Sequence, residues 1–199
     1  MSQSTRERAS ASIAGTLKSQ VSVLVVWTIV AWAIEAIDQF VVERPLDQYG
    51  IRPRDVDGLW GILCAPLLHG GFAHLAGNTV PFLVLGWLVL AARGSTFLPV
   101  SLIVIVAGGA GVWLMAPVGS VHIGASGLIF GYLGFLLFRG LFEFSLGSIV
   151  IAVLVGALYG GLLLGVLPGE EGVSWQAHLC GFVSGAIAAK LLARPGAPS

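Results

Sequence analysis
Four polar side chains stand out in segments otherwise built from Leu, Val, Ile, Ala, Phe and Gly: His74, Asn78, Ser126 and His178. A polar group inside an apolar membrane helix is costly, so each of the four marks a candidate site. Ser126 lies in Gly124-Ala125-Ser126-Gly127, where small neighbours leave the hydroxyl open. His178 precedes Gly181 and Gly185, and Gly127 and Gly131 repeat that small-residue spacing. Two helices so patterned pack closely, which would bring His178 to hydrogen-bonding distance of Ser126. A serine hydroxyl becomes a good nucleophile when a base takes its proton, and neutral imidazole suits that task near pH 7. His74 and Asn78 are four apart on one helix face, and Ser126 opens a helix whose first N–H groups lack acceptors. Those are the donor types that a tetrahedral oxyanion needs. The chemistry expected is nucleophilic acyl transfer. No acidic residue adjoins His178 at membrane depth, so a dyad is expected instead of a triad.

Taken singly, each signal has a plainer explanation. Glycine and serine are common where membrane helices pack, and a lone histidine or asparagine often serves as an interhelical hydrogen bond. The weight lies in the combination, from three distant parts of the chain at one depth. His122 reads as a solvated loop histidine, since loops usually face water, and Pro81 as a kink that frees the Gly77 carbonyl.

The elements that must position these groups follow from composition. Of 199 residues, 56% are hydrophobic and 10% charged, and mean hydropathy is +0.93. That excludes a disordered or collagen-like chain and nearly all soluble folds. One all-α, polytopic membrane domain is expected. Ten Lys+Arg balance ten Asp+Glu, so no basic face recommends nucleic acid. Cys64 and Cys180 read as free buried thiols. Neither zinc-ligand spacing nor a Gly-rich phosphate loop is present in the sequence, and no metal or cofactor is expected.

Six apolar segments, roughly 20–42, 72–92, 96–116, 123–138, 145–167 and 174–192, are each near the ~20 residues that cross a bilayer. The fourth is short and ends at Arg139. The division expected is a cytoplasmic tail over 1–19, a six-helix membrane domain over 20–193 and a short tail over 194–199. With the N-terminus inside, the inner side holds seven cations: Arg6, Arg8, Lys18, Arg93, Arg139, Lys190 and Arg194. The outer side holds three, Arg44, Arg52 and Arg54, all on the 43–71 loop. That count predicts both termini in the cytoplasm. The apolar stretch Val56–Leu68 is too short to span and reads as helices lying in the outer interface. Glu35 and Asp38, three apart near the outer end of the first span, are expected to make polar contacts with that loop. Eight Arg against two Lys hint at a bacterial source.

His69-x4-His74-x3-Asn78, then Gly124-Ala125-Ser126-Gly127, then Ala177-His178-x2-Gly181 resemble the motifs of the rhomboid family of intramembrane serine proteases. They occur in family order, and the match covers roughly residues 20–193. The resemblance implies Ser126 as nucleophile, His178 as base, and His74 with Asn78 at the oxyanion hole. It gives His69, Gly124, Gly127, Phe130 and Gly181 accessory or structural roles. Two departures stand out. Trp60 is followed by Gly61 where relatives often carry Trp-Arg, and Phe130 stands where many have a Tyr that stacks on the base. The function implied is a plasma-membrane endopeptidase that cleaves transmembrane protein substrates near the outer face of the lipid bilayer. A non-proteolytic relative that binds membrane clients is the alternative, and a small transporter using Glu35 and Asp38 is a third reading. The transporter lacks an evident inverted repeat.

Overall fold
The computed structural model describes residues 3–42, 45–92, 94–169 and 172–194, with side chains described from residue 21 onward. Arg6, Arg8, Lys18, Arg44, Arg93, Glu170, Glu171 and the tail after 194 lie outside the described side chains. The first helix, α1, runs Gln3–Phe40, so the backbone expected as a tail over 1–19 is helical from residue 3. A short α2 (Gly61–Cys64) lies in the first loop, followed by α3 (Phe72–Ala92). The third span is composite: α4 (Phe97–Ile103), a π-helical turn over Val104–Gly108, and α5 (Gly109–Met115). Next come α6 (Ser126–Glu143) and α7 (Leu146–Tyr159), the latter continuing as 3-10 helix over Gly160–Val166. The chain closes on α8 (Trp175–Leu192). Among the described residues there is no strand, only an isolated bridge between Ile51 and His122.

Five of these segments are long and apolar enough to cross a membrane, and α8 completes a six-helix bundle. The lower hydropathy of α8 comes chiefly from Gln176, His178 and Lys190. Its small residues let it wedge between α6 and the third span. A Cβ built on Gly181 would fall on the Gly127 carbonyl oxygen, and one on Gly185 would fall on the Gly131 carbonyl oxygen. On its other side, a Cβ on Gly108 would sit 3.5 Å from the Cys180 carbonyl oxygen. By contrast α7 turns Val153, Leu154 and Leu158 outward, as a peripheral helix in lipid does.

Two sequence boundaries shift. The fourth span begins at Ser126 and continues past Arg139 to Glu143, because Arg139 Nε pairs with Glu143 Oε2 at 2.8 Å one turn later, both side chains buried. The α7 helix stops at Tyr159, and Gly160-Gly161 open its tighter continuation.

The first loop, between α1 and α3, is bound down by polar contacts. Arg54, in left-handed backbone at φ 58°, donates to the Leu114 and Ala116 carbonyls at 2.8 Å each, and Trp113 Nε1 donates to Asp55 O at 2.8 Å. The Gly61 departure has a steric reason, since a Cβ there would collide with the Gly50 backbone. Exposed Val56 and Trp60 on the same loop fit the expected interfacial position. Asp38 accepts the Leu46 N–H, which is the contact with the loop expected for it, while Glu35 accepts from Gln39 at 3.1 Å and is buried.

Asp47 sits in that loop, where burial, with Asp38 and then Glu35 close by, pushes its carboxyl up to about 6. A raised carboxyl pKa means that the fold disfavours the ionised form. The penalty is absent below the ordinary value of 3.8, grows as pH rises toward 6, and is fully present above it. Asp47→Asn should therefore raise the thermal midpoint at pH 7.5, by roughly 2–4 °C after allowing for solvent screening. Thermal melts at pH 7.5 and pH 4 check this: the gain should vanish at the lower pH, and a loss at pH 7.5 would mean that the carboxylate has a stabilising partner.

Candidate active site
Helices α3, α6 and α8 enter the bundle from the same side, and their first turns surround a cavity of about 560 Å³. His74 and Asn78 from α3, Ser126 and Phe130 from α6, and His178 from α8 line it together, with Gly77 and Pro81 on the α3 wall. The structure therefore brings together the residues singled out by their chemistry. For the two histidines, backbone contacts fix the ring proton as well as the position.

Ser126 is the first residue of α6, so its backbone N–H has no acceptor within the helix. The turn before it is pinned twice: Gly124 N–H donates to the Ala65 carbonyl at 2.9 Å, and Ala125 N–H to His69 Nε2 at 3.3 Å. Gly124 adopts φ +109°, a left-handed conformation that favours glycine. A Cβ there would also meet His74, at 3.0 Å from Nε2, and would lie 3.8 Å from Ser126 Oγ. His74 Nε2 and the serine hydroxyl thus flank one spot beside Gly124.

The tautomers follow from the partners. His74 Nδ1 accepts the Gly70 N–H at 3.4 Å, so in the neutral ring Nε2 carries the proton and is a donor on the Ser126 side. His178 has the opposite arrangement. Its Nδ1 lies 2.8 Å from the Gly165 carbonyl oxygen, which only accepts, so Nδ1 holds the proton and the lone pair resides on Nε2. The ring stacks on Phe130 with centroids 4.1 Å apart and planes within 5°, so stacking persists without the tyrosine hydroxyl. Ser126 and His178 line the same cavity, and catalytic hydrogen bonds commonly shorten when substrate binds. Asn78 is buried at the cavity edge and returns one amide hydrogen to the His74 carbonyl at 3.2 Å, leaving its second N–H for other acceptors.

His69 lies just before α3 and is almost fully buried, edge-on to His74 with centroids 5.2 Å apart. Burial, and then His74, lower its pKa to about 4 against a smaller opposing effect of the Leu67 carbonyl. That carbonyl is near enough to favour the Nδ1 proton, yet Nδ1 makes no hydrogen bond of good geometry. Acceptance of the Ala125 N–H makes His69 a support for the turn that carries Ser126.

Sequence reasoning missed two contributors and misplaced one. The Gly165 carbonyl, which orients the His178 ring, leaves no trace beyond a small residue, because the acting group is backbone. Ser174 caps α8 by accepting the Ala177 N–H at 3.2 Å, a role legible in principle from a serine just ahead of an apolar helix. His122 is not solvated: it is 7% exposed, held in the isolated bridge with Ile51 and between two serine hydroxyls. No group of three or more His, Cys, Asp or Glu side chains suited to a metal ion occurs among the described residues.

The apolar helices make a polytopic membrane bundle, with the cavity among the first turns of three of them. The family model for the rhomboid domain matches residues 56–195, and the chain belongs to that family. It is 51% identical over 172 residues to an uncharacterized protein of Mycobacterium tuberculosis, covering 82% of this chain and 71% of the relative. It is also similar to the putative rhomboid protease YdcA of Bacillus subtilis, 33% identical over 132 residues, 65% of each chain. With the rhomboid protease GluP of the same bacterium it shares 32% over 144 residues, 69% of this chain and 27% of that one.

Proposed function
We propose that the protein is an intramembrane serine endopeptidase that hydrolyses peptide bonds of transmembrane protein substrates, with Ser126 as nucleophile and His178 as general base. The observation that carries this reading is the shared cavity of Ser126, His178, His74 and Asn78, with the tautomers of both histidines set by backbone groups. The Ser126 hydroxyl proton passes to His178 Nε2 as Oγ bonds to the scissile carbonyl carbon. The oxyanion is met by His74 Nε2–H, the second Asn78 N–H and the Ser126 amide. His178 then gives its proton to the leaving amine as the C–N bond breaks, and water, deprotonated by the same imidazole, releases the acid from Ser126. The Gly165 carbonyl replaces the acidic third member of a triad, since both hold the imidazole Nδ1–H.

The cavity opens among the first turns of three helices, so the bond cut lies near one membrane surface. The seven-to-three cation count assigns that surface to the outside and both termini to the cytoplasm of a bacterial plasma membrane. A scissile bond must leave its helix to reach Ser126, so substrates with small or helix-destabilising residues at that depth are favoured. The test is incubation of the purified protein in liposomes with a single-pass transmembrane substrate. Two fragments should appear with wild type and none with Ser126→Ala. Equal cleavage by both would dismiss the serine mechanism, and binding without cleavage by the wild type would make the protein a client-binding member of the family.

A further inference from the structure
His122 precedes Ser126 by four residues and has no part in the mechanism above, yet it is buried on the wall of the same cavity. Its ring nitrogens are both engaged. Nε2 lies 2.8 Å from Ser120 Oγ, and Nδ1 lies 2.6 Å from Ser174 Oγ. Proton accounting fixes the direction of this chain. Ser120 spends its hydroxyl hydrogen on the Pro117 carbonyl at 2.6 Å, so its oxygen accepts from His122 Nε2–H. In the neutral ring, Nδ1 is then the acceptor and takes the Ser174 hydroxyl hydrogen. The Ser174 oxygen in turn accepts the Ala177 N–H at 3.2 Å, and the Ser174 carbonyl accepts the His178 N–H at 3.1 Å. An unbroken relay thus runs from Pro117, in the loop that leads to Ser126, to the backbone of His178. The His122 backbone adds a third anchor, exchanging hydrogen bonds with Ile51 of the first loop at 2.9 and 3.0 Å.

We propose that His122 is a positioning residue: it ties the loop that presents the nucleophile to the N-terminus of the helix that carries the base, and so holds Ser126 and His178 in register. The inference rests on the Ser126/His178 reading. A catalytic part for His122 itself is excluded by its bonding, because neither ring nitrogen has a proton or lone pair left for substrate. Of the titratable groups near it, His74 and His178 face it across the cavity, while its direct partners are neutral hydroxyls. Burial lowers its pKa, which keeps the ring neutral and the relay in this polarity. The two anchored segments lead into α6 and α8, whose helices already touch through glycines further in. The relay closes the outer end of that pair, where the reacting groups stand.

The test compares wild type with His122→Leu, His122→Asn and Ser120→Ala in the same liposomes, with kcat and KM from substrate cleavage, the fluorophosphonate labelling rate at Ser126, and thermal melts. Leucine removes both ring bonds. It should lower kcat and the labelling rate by about 10–100-fold with KM little changed, as expected for misplaced reacting groups. Asparagine places an oxygen where Nδ1 stands, can accept from Ser174, and should restore most of that loss. Ser120→Ala, on the loop side, cuts one link without disturbing the core and should lower kcat about 2–10-fold, the worth of one hydrogen bond. It carries the test even if the leucine variant fails to fold. Wild-type kcat in folded His122→Leu or in Ser120→Ala, with at most a lower melting point, would overturn the proposal, as would an asparagine variant as slow as the leucine one. Failure of the underlying dyad shows separately, as cleavage that survives Ser126→Ala.

Discussion

Ser126→Ala and His178→Ala should each lower kcat/KM by roughly 10⁴–10⁶-fold, and the double variant should be no slower than either single one. The reason is that the two groups act as one unit. Without the base, the hydroxyl keeps its proton; without the hydroxyl, the base has nothing to activate. What survives comes from substrate positioning and the oxyanion donors, which neither substitution touches. Fluorophosphonate labelling reads the same unit without a substrate. It should occur once, at Ser126, vanish in Ser126→Ala, and fall steeply in His178→Ala. Its rate should rise with pH as His178 loses its proton, because only neutral imidazole accepts the serine hydrogen. The stacking on Phe130 and the bond to Gly165 leave the ring few other orientations, so loss of the imidazole is a loss of chemistry and not of packing alone. If folded His178→Ala reacts as fast as wild type, Ser126 owes its reactivity to the helix terminus, and the dyad is wrong.

How far this arrangement was legible in the sequence depends on which atoms do the work. Ser126, His178, His74 and Asn78 announce themselves because polar side chains in apolar helices are costly. Their convergence on one cavity follows from helix order, since the second, fourth and sixth spans start on the same side. The glycines of α6 and α8 likewise foretell close packing. Groups that act through backbone are silent. Nothing in Gly165 distinguishes its carbonyl from that of Gly161 until the 3-10 segment folds over His178. His122 was misjudged for a related reason: a loop position suggests water, but the bridge to Ile51 and the serine partners bury it. Arg139 looked like the end of a span because its charge was read alone. Paired with Glu143, it lies buried within α6.

The second large effect concerns a position with no side chain. Gly181→Ala should lower kcat and the labelling rate at Ser126 by at least about 10²-fold, the scale of loss that a misplacement of 1 Å brings. The added methyl meets the Gly127 carbonyl oxygen, a backbone atom of α6 that cannot swing aside as a side chain can. Relief therefore requires α8 to withdraw from α6. Gly127 follows Ser126 directly, and Gly181 lies one turn beyond His178, so the withdrawal adds straight to the gap across which the proton must move. Stability should suffer too, by about 1–3 kcal/mol as in other overpacked interiors. The activity loss should nevertheless persist in the fraction that folds, which labelling of folded protein well below its melting temperature can measure. Gly160→Ala makes the same chemical change at the end of α7, where a Cβ meets nothing within 4 Å, and should leave labelling near the wild-type rate. Folded Gly181→Ala that labels at the Gly160→Ala rate would show that the contact of α6 with α8 does not set the distance between nucleophile and base.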